Sequence, residues 1–282
     1  MKNVKTILRY ILAVILTFSI VIFLVVNIAK STILNKTFVL NKLDQTAYYT
    51  KIYAYIKENF KNHIQQSGLE ETILDDLITQ EQVENDTKKV ITNMYNNVHE
   101  EISTEELKQR LTSKIDEQIK GTLVTTEQKQ EINSFINDIC NEYLVGIAHF
   151  GSEKSIYNVY DKVDNIVELL NKVSLITTSI STIALIIICK NRFYKFFVFS
   201  GISCLSSGLF FTIANIFINS KINIQAITVL NDAFSFTLRE VLDTIIKMIS
   251  EKGIILFITG LLLIAISLFI HNFFKYKNLK EN

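Results

Sequence analysis

The chain has 282 residues, 29 of them basic and 28 acidic, and nearly half are hydrophobic. Proline is absent and glycine occurs only eight times, which argues against a fold built on strands and tight turns, since those use both residues as punctuation. Long uninterrupted helices are expected instead, and a bias toward Ile, Lys and Asn fits an A- and T-rich coding sequence, as in low-GC bacteria.

The apolar residues concentrate in four segments, 6–29, 173–189, 196–218 and 253–270. A helix crosses the hydrocarbon core with about 17–25 apolar residues, and all four segments reach that, the second and fourth only just. In the first, Thr17, Ser19 and Asn27 are the polar interruptions. The charged start (Lys2, Lys5 and Arg9) suits a signal peptide, but the apolar run exceeds the roughly 7–15-residue core of a cleaved one and has no A-x-A site after it. An uncleaved signal-anchor is expected. The fold class that follows is all-α: a four-helix transmembrane bundle with a large antiparallel helical domain, residues 30–172, inserted between the first and second membrane helices. The remaining parts are a tight hairpin of the second and third segments over 173–218, a short loop at 219–252, and the fourth segment with its tail at 253–282.

Near-neutrality hides a polarised molecule. Residues 30–172 carry 23 acids and 16 bases, a net −7, and the loop 219–252 is balanced. The start of the chain through Arg9, the stretch between the second and third segments and the stretch after the fourth hold nine bases and one acid. Basic loops stay in the cytoplasm, so both termini and the turn at 190–195 are expected there, with 30–172 and 219–252 outside. An acidic outer domain excludes nucleic acid as a partner, because that needs a basic surface.

Along the chain, the first helix is expected to run past Asn27, because Ile33, Phe38, Leu40, Leu43, Tyr48, Ile52, Ile56 and Phe60 keep one apolar stripe. Tyr48, Tyr49, Tyr53 and Tyr55 cluster on it, for packing against neighbouring helices or as a possible partner surface. Residues 65–68 break the helix. Capping boxes are expected at Thr79/Gln82, Ser103/Glu106 and Thr125/Gln128. The helices they open carry Val83, Val90 and Ile91, then Leu107, Leu111 and Ile115, then Ile132, Phe135, Ile136, Ile139, Tyr143 and Ile147. Gly121 is a natural stop, and 150–152 ends the third of these helices. From Ser155 a last helix leads through Val159, Val163, Ile166 and Leu170 into the second membrane segment. Thr237 with Glu240 is expected to cap a separate amphipathic helix bearing Val241, Leu242, Ile245, Met248 and Ile249. Val39-Leu40-Asn41 recurs as Val229-Leu230-Asn231; a duplicated helix pair would explain the repeat, but chance in an Ile-, Leu- and Asn-rich chain is the favoured reading.

Small residues mark helix packing in the membrane segments: Ser200, Gly201, Cys204 and Gly208 in the third, Gly253 and Gly260 in the fourth. No ionisable residue lies in the four apolar cores, which argues against a conduction path. Cys140, Cys189 and Cys204 form no disulfide framework or zinc spacing. His63, His99, His149 and His271 lack partners at metal spacing, and no hydrolase, metalloprotease or P-loop motif occurs. No catalytic residue, metal site or cofactor is assigned. The sequons at Asn35 and Asn85 matter only in a eukaryotic secretory pathway.

Three functions fit. The first is a non-enzymatic envelope protein whose outer helical domain binds another protein or a cell-wall component, alone or as a homo-oligomer in the lipid bilayer. The second is a transporter subunit with an ATPase partner: the segment order resembles that of ABC-transporter permeases of the cell-division and macrolide-exporter type. The short 190–195 turn and the lack of strands in the insert depart from that pattern. The third is a membrane enzyme using an acid of the insert.

Overall fold

The computed structural model describes residues 2–67, 69–121, 125–148, 153–228 and 231–280. Among them there is no strand, and nine α-helices follow one another: α1 Lys2–Ser31, α2 Lys36–Gln45, α3 Tyr48–Ser67, α4 Gln80–Asn96, α5 Glu105–Gln118, α6 Thr126–Ala148, α7 Glu153–Cys189, α8 Tyr194–Lys221 and α9 Asp232–Lys280. Four stretches are long and apolar enough to cross a membrane: Val4–Ser31, Val159–Arg192, Tyr194–Lys221 and Asp232–Phe273. The chain divides into two units. The first is Met1–Asn35, Asp164–Ile227 and Val241–Asn282; the second is Lys36–Val163 and Thr228–Glu240. Helices α7 and α9 contribute residues to both.

The second unit is built on α3. Its Tyr48, Ile52, Ile56, Phe60 and Ile64 recur every four residues and are all buried, so one stripe of the helix faces its neighbours. Against it pack Ile136, Ile139, Tyr143 and Ile147 of α6 and Val83 and Ile91 of α4, and Leu107, Leu111 and Ile115 of α5 join the same core alongside α6. Burial of each such side chain contributes about 1.5–3 kcal/mol, which is what holds helices too short to persist alone. Gly146 lets α6 close on α3: a Cβ there would run into the Ile56 side chain. At the edge of this core the Tyr143 hydroxyl donates to Asp86 at 2.5 Å, and Arg110 donates to the Leu77 carbonyl at 3.2 Å. The first turns of α9 belong to the same core, with Ala233 buried, Thr46 and Thr237 hydroxyls 2.8 Å apart and Lys51 over the Phe236 ring.

In the first unit α8 is flanked on two faces. Ser203 and Ser207 donate to the carbonyls of Ala13 and Thr17 of α1, at 2.8 and 3.2 Å, with the same sequence separation of 190. An equal step along both helices means that they run parallel. On the other face the register is antiparallel. Gly201 approaches Gly260, Gly208 approaches Gly253, and Ser267 donates to the carbonyl of Tyr194 at 2.8 Å, so each seven-residue step along α8 matches seven steps back along α9. Leu185 and Cys189 of α7 are buried with Ala13, Leu16 and Phe199.

Three local expectations are corrected. The first helix does not continue past the membrane stretch. The Ser31 and Thr32 hydroxyls both take the Ile28 carbonyl, competing with the helical bonds, and the Leu34 and Asn35 amides close a turn onto Ala29 and Thr32. A second break follows at Ala47, with φ +51°. The stripe over 33–60 is therefore divided among α1, α2 and α3. The box expected at Ser103 does not form: Thr104 is the N-cap, without a side-chain cap bond, Ser103 accepts from the Glu105 amide, and the Glu106 carboxylate pairs with Arg110 and does not reach back to the helix start. Thr237 opens no helix. Asn231 accepts from the Phe234 amide at 2.8 Å and caps α9 six residues earlier, and Thr237 is internal, bonded to the Ala233 carbonyl.

Other expectations hold. Thr79 accepts from the Gln82 amide, Thr125 and Gln128 make a reciprocal box, Gly121 has φ +89°, and α7 runs unbroken to Cys189. Gly68, His149, the break at 150–152 and the Val229-Leu230 half of the repeat lie outside the described residues.

Candidate functional site

The four tyrosines do not form an aromatic surface. Tyr48 and Tyr49 are 1% and 4% exposed, and burial raises both phenols above the ordinary range. Their rings meet edge to face, and neither hydroxyl has a hydrogen-bond partner. Lys88 lies over the Tyr49 ring and bridges Glu84 at 2.6 Å and Asp44 at 3.5 Å. Tyr53 and Tyr55 are half-buried and pack against the core.

The second unit instead presents a groove of about 640 Å³ among the C-terminal part of α3, the end of α5 and the first half of α6. Its apolar lining is Leu69, Ile119, Ile132 and Phe135, and its polar lining includes His63, Gln128, Ser134 and the carboxylates of Glu131 and Asp138. The order follows from the helical repeat. On α6, residues 128, 131, 135 and 138 fall on one side, spaced three and four apart, next to the buried row of Ile136 and Ile139. Phe135 stands at the edge of the core, 9% exposed, so the floor of the groove is the flank of the core itself.

No family model, curated protein or solved structure matches this chain.

The groove borders a polar cluster of α3 and α6. Beside it, His63 Nε2 lies 3.9 Å from Glu142, whose carboxylate accepts from Asn59. Ser67 is engaged by its own turn, donating to the Ile64 carbonyl and accepting from the Leu69 amide. Among the described residues no three His, Cys, Asp or Glu side chains are placed to hold a metal ion. Cys140 is a buried free thiol whose pKa is pushed up by desolvation, which keeps it in the less reactive protonated form.

The small residues of α8 and α9 divide by role. Gly201, Gly208, Gly253 and Gly260 make the close approach of the two helices. Ser200 is buried with its hydroxyl unpartnered, and Cys204 is a half-buried free thiol. Sequence reasoning missed the groove because its parts lie far apart in the chain: His63 is beside a residue 79 positions later. The available signal was the second stripe on α6, Glu131 and Asp138 flanking Phe135.

Proposed function

We propose that this is an integral membrane envelope protein, not an enzyme, whose second unit lies outside the cytoplasm and binds a protein or cell-envelope partner in the groove of α3, α5 and α6. The observation that carries the reading is an apolar floor rimmed by carboxylates, a surface that suits an amphipathic partner with basic groups. The charge layout supports the orientation: net −7 over 30–172, against nine bases and one acid in the stretches expected to be cytoplasmic. The turn between α7 and α8 is three 3₁₀ residues, Lys190–Arg192, and Phe193, which offers little surface for docking an ATPase and weighs against the permease reading.

The test is a photo-crosslinking side chain placed at Ser134, in the groove, and as a control at Asn85, exposed on α4, in full-length protein in its native membrane. A discrete adduct from Ser134 that is absent from Asn85, and that disappears when Glu131 and Asp138 are both changed to Lys, supports the proposal. No adduct at Ser134, or the same adducts from both positions, contradicts it. Recovery of an ATPase with the protein from that membrane favours the permease instead.

A further inference from the structure

The end of the first unit where α1 begins and α7 turns into α8 gathers cations that no carboxylate among the described residues balances. Arg9 is half-buried, and its Nη2 donates to the Ile188 carbonyl at 3.0 Å. That bond pins the guanidinium against the last turn of α7, beside the Lys190–Arg192 turn. Arg9 Nε is buried and has no hydrogen-bond partner. One turn along α1, Leu12, Ala13 and Leu16 join Leu185, Cys189, Phe196 and Phe199 in an apolar cluster. The sequence holds no acid over 1–43, 169–231 or 252–280. Among the described residues Lys5, Arg9, Lys190, Arg192 and Lys195 make no ion pair with a carboxylate. A partly desolvated guanidinium with an idle N–H is unfavourable unless an anion meets it.

We propose that this corner binds the phosphodiester of an anionic membrane lipid, held by the guanidinium of Arg9 and by the charges of Lys190 and Arg192. Guanidinium is suited to the task because its planar fork matches two phosphate oxygens. The flanks argue for a lipid over a soluble phosphate. Ile7, Leu8, Ile11 and Phe193 are all more than 40% exposed beside the cations, so the site joins a charged head to an apolar wall, as a lipid does. Phe193, Phe196 and Phe197 cluster with ring centroids 5.4–5.7 Å apart, which extends the apolar wall beside the cations where the chain would meet the headgroups. Basic residues at that depth attract anionic lipids.

The test uses the full-length protein in neutral detergent, titrated with phosphatidylglycerol, phosphatidylcholine or inorganic phosphate. Native mass spectrometry reads retained lipid and thermal unfolding reads stability. Phosphatidylglycerol is expected to be retained and to raise the unfolding temperature, and phosphatidylcholine is not. Arg9→Gln is expected to weaken phosphatidylglycerol binding by about tenfold or more, the loss of one charge-assisted bond. Arg192→Gln, on the exposed turn, weakens it as well, whereas Lys221→Gln, which removes the same charge at the other end of α8, leaves it unchanged. Where Arg9→Gln does not fold, Arg9→Lys and Arg192→Gln carry the comparison. Equal retention of the two lipids, or equal losses from Arg9→Gln and Lys221→Gln, overturns the proposal. So does complete displacement of the lipid by millimolar inorganic phosphate, which makes this a site for a free anion.

Discussion

Gly208 of α8 faces Gly253 of α9 so closely that a Cβ on Gly208 would lie 2.8 Å from the Gly253 carbonyl oxygen and 2.7 Å from the Phe257 amide nitrogen. Both are backbone atoms of a helix and cannot swing aside as a side-chain tip can. The contact therefore sets the separation of α8 and α9, and the pairs Gly201–Gly260 and Tyr194–Ser267 repeat it in register. Gly208→Ala is expected to destabilise the protein by about 1–3 kcal/mol, the usual cost of overpacking. Cys204→Ala, in the same stripe, adds no volume and is expected to be near neutral. Thermal unfolding of both variants in detergent checks the pair, and equal effects would remove the close-packing account.

Ala47 gives a prediction of the opposite sign. Its φ of +51° at the joint of α2 and α3 costs a residue with a Cβ about 1–2 kcal/mol. Asp76 and Asn97 share that conformation, with φ +55° and +53°, but their short polar side chains tolerate it better. Ala47→Gly removes the strain and loses part of the gain to a more flexible unfolded chain, so a net stabilisation of about 0.5–1 kcal/mol is expected. The same change at Asn97 is expected to gain less. A chemical-denaturation midpoint that falls on Ala47→Gly contradicts this.

Alkaline pH is expected to unfold the second unit. Tyr48, Tyr49, Tyr95 and Tyr143 all have raised pKa values, mainly from burial, and for Tyr143 also from the bond to Asp86. In the unfolded chain they ionise near the ordinary value of about 10, while the folded protein keeps their protons to higher pH. Their contribution to stability is thus complete below about pH 10 and is lost as pH rises through the folded values. Tyrosinate absorbance and circular dichroism followed together from pH 8 upward should show part of the tyrosine signal appearing only with the loss of helix. Full ionisation of all eleven tyrosines before any helix is lost would contradict it.

Elements with a strong local signal were readable from sequence. The four apolar stretches, the Thr79 and Thr125 caps and the α6 row of Ile136, Ile139, Tyr143 and Ile147 each need only their neighbours in the chain, and each occurs as expected. The failures came where a side chain chose between partners. Ser31 and Thr32 bonded backward to Ile28, Glu106 took Arg110 over the helix start, and Asn231 capped α9 ahead of Thr237. Apolar periodicity is blind to that competition, so the stripe through 33–60 read as one helix. The groove and the Arg9 corner were illegible for another reason. Each is made where distant segments meet, and no spacing within either segment announces it.

The orientation of the second unit is tested most directly by single cysteines at Glu101 and Asn191, both exposed and away from left-handed backbone. Cys140 and Cys189 are buried, and the half-buried Cys204 is changed to Ala, so the native background is small. In intact cells a membrane-impermeant maleimide is expected to label Glu101→Cys at once and Asn191→Cys only after the membrane is opened. Labelling of both from the same side, or of Asn191→Cys alone, would contradict an outer domain that meets its partner beyond the membrane.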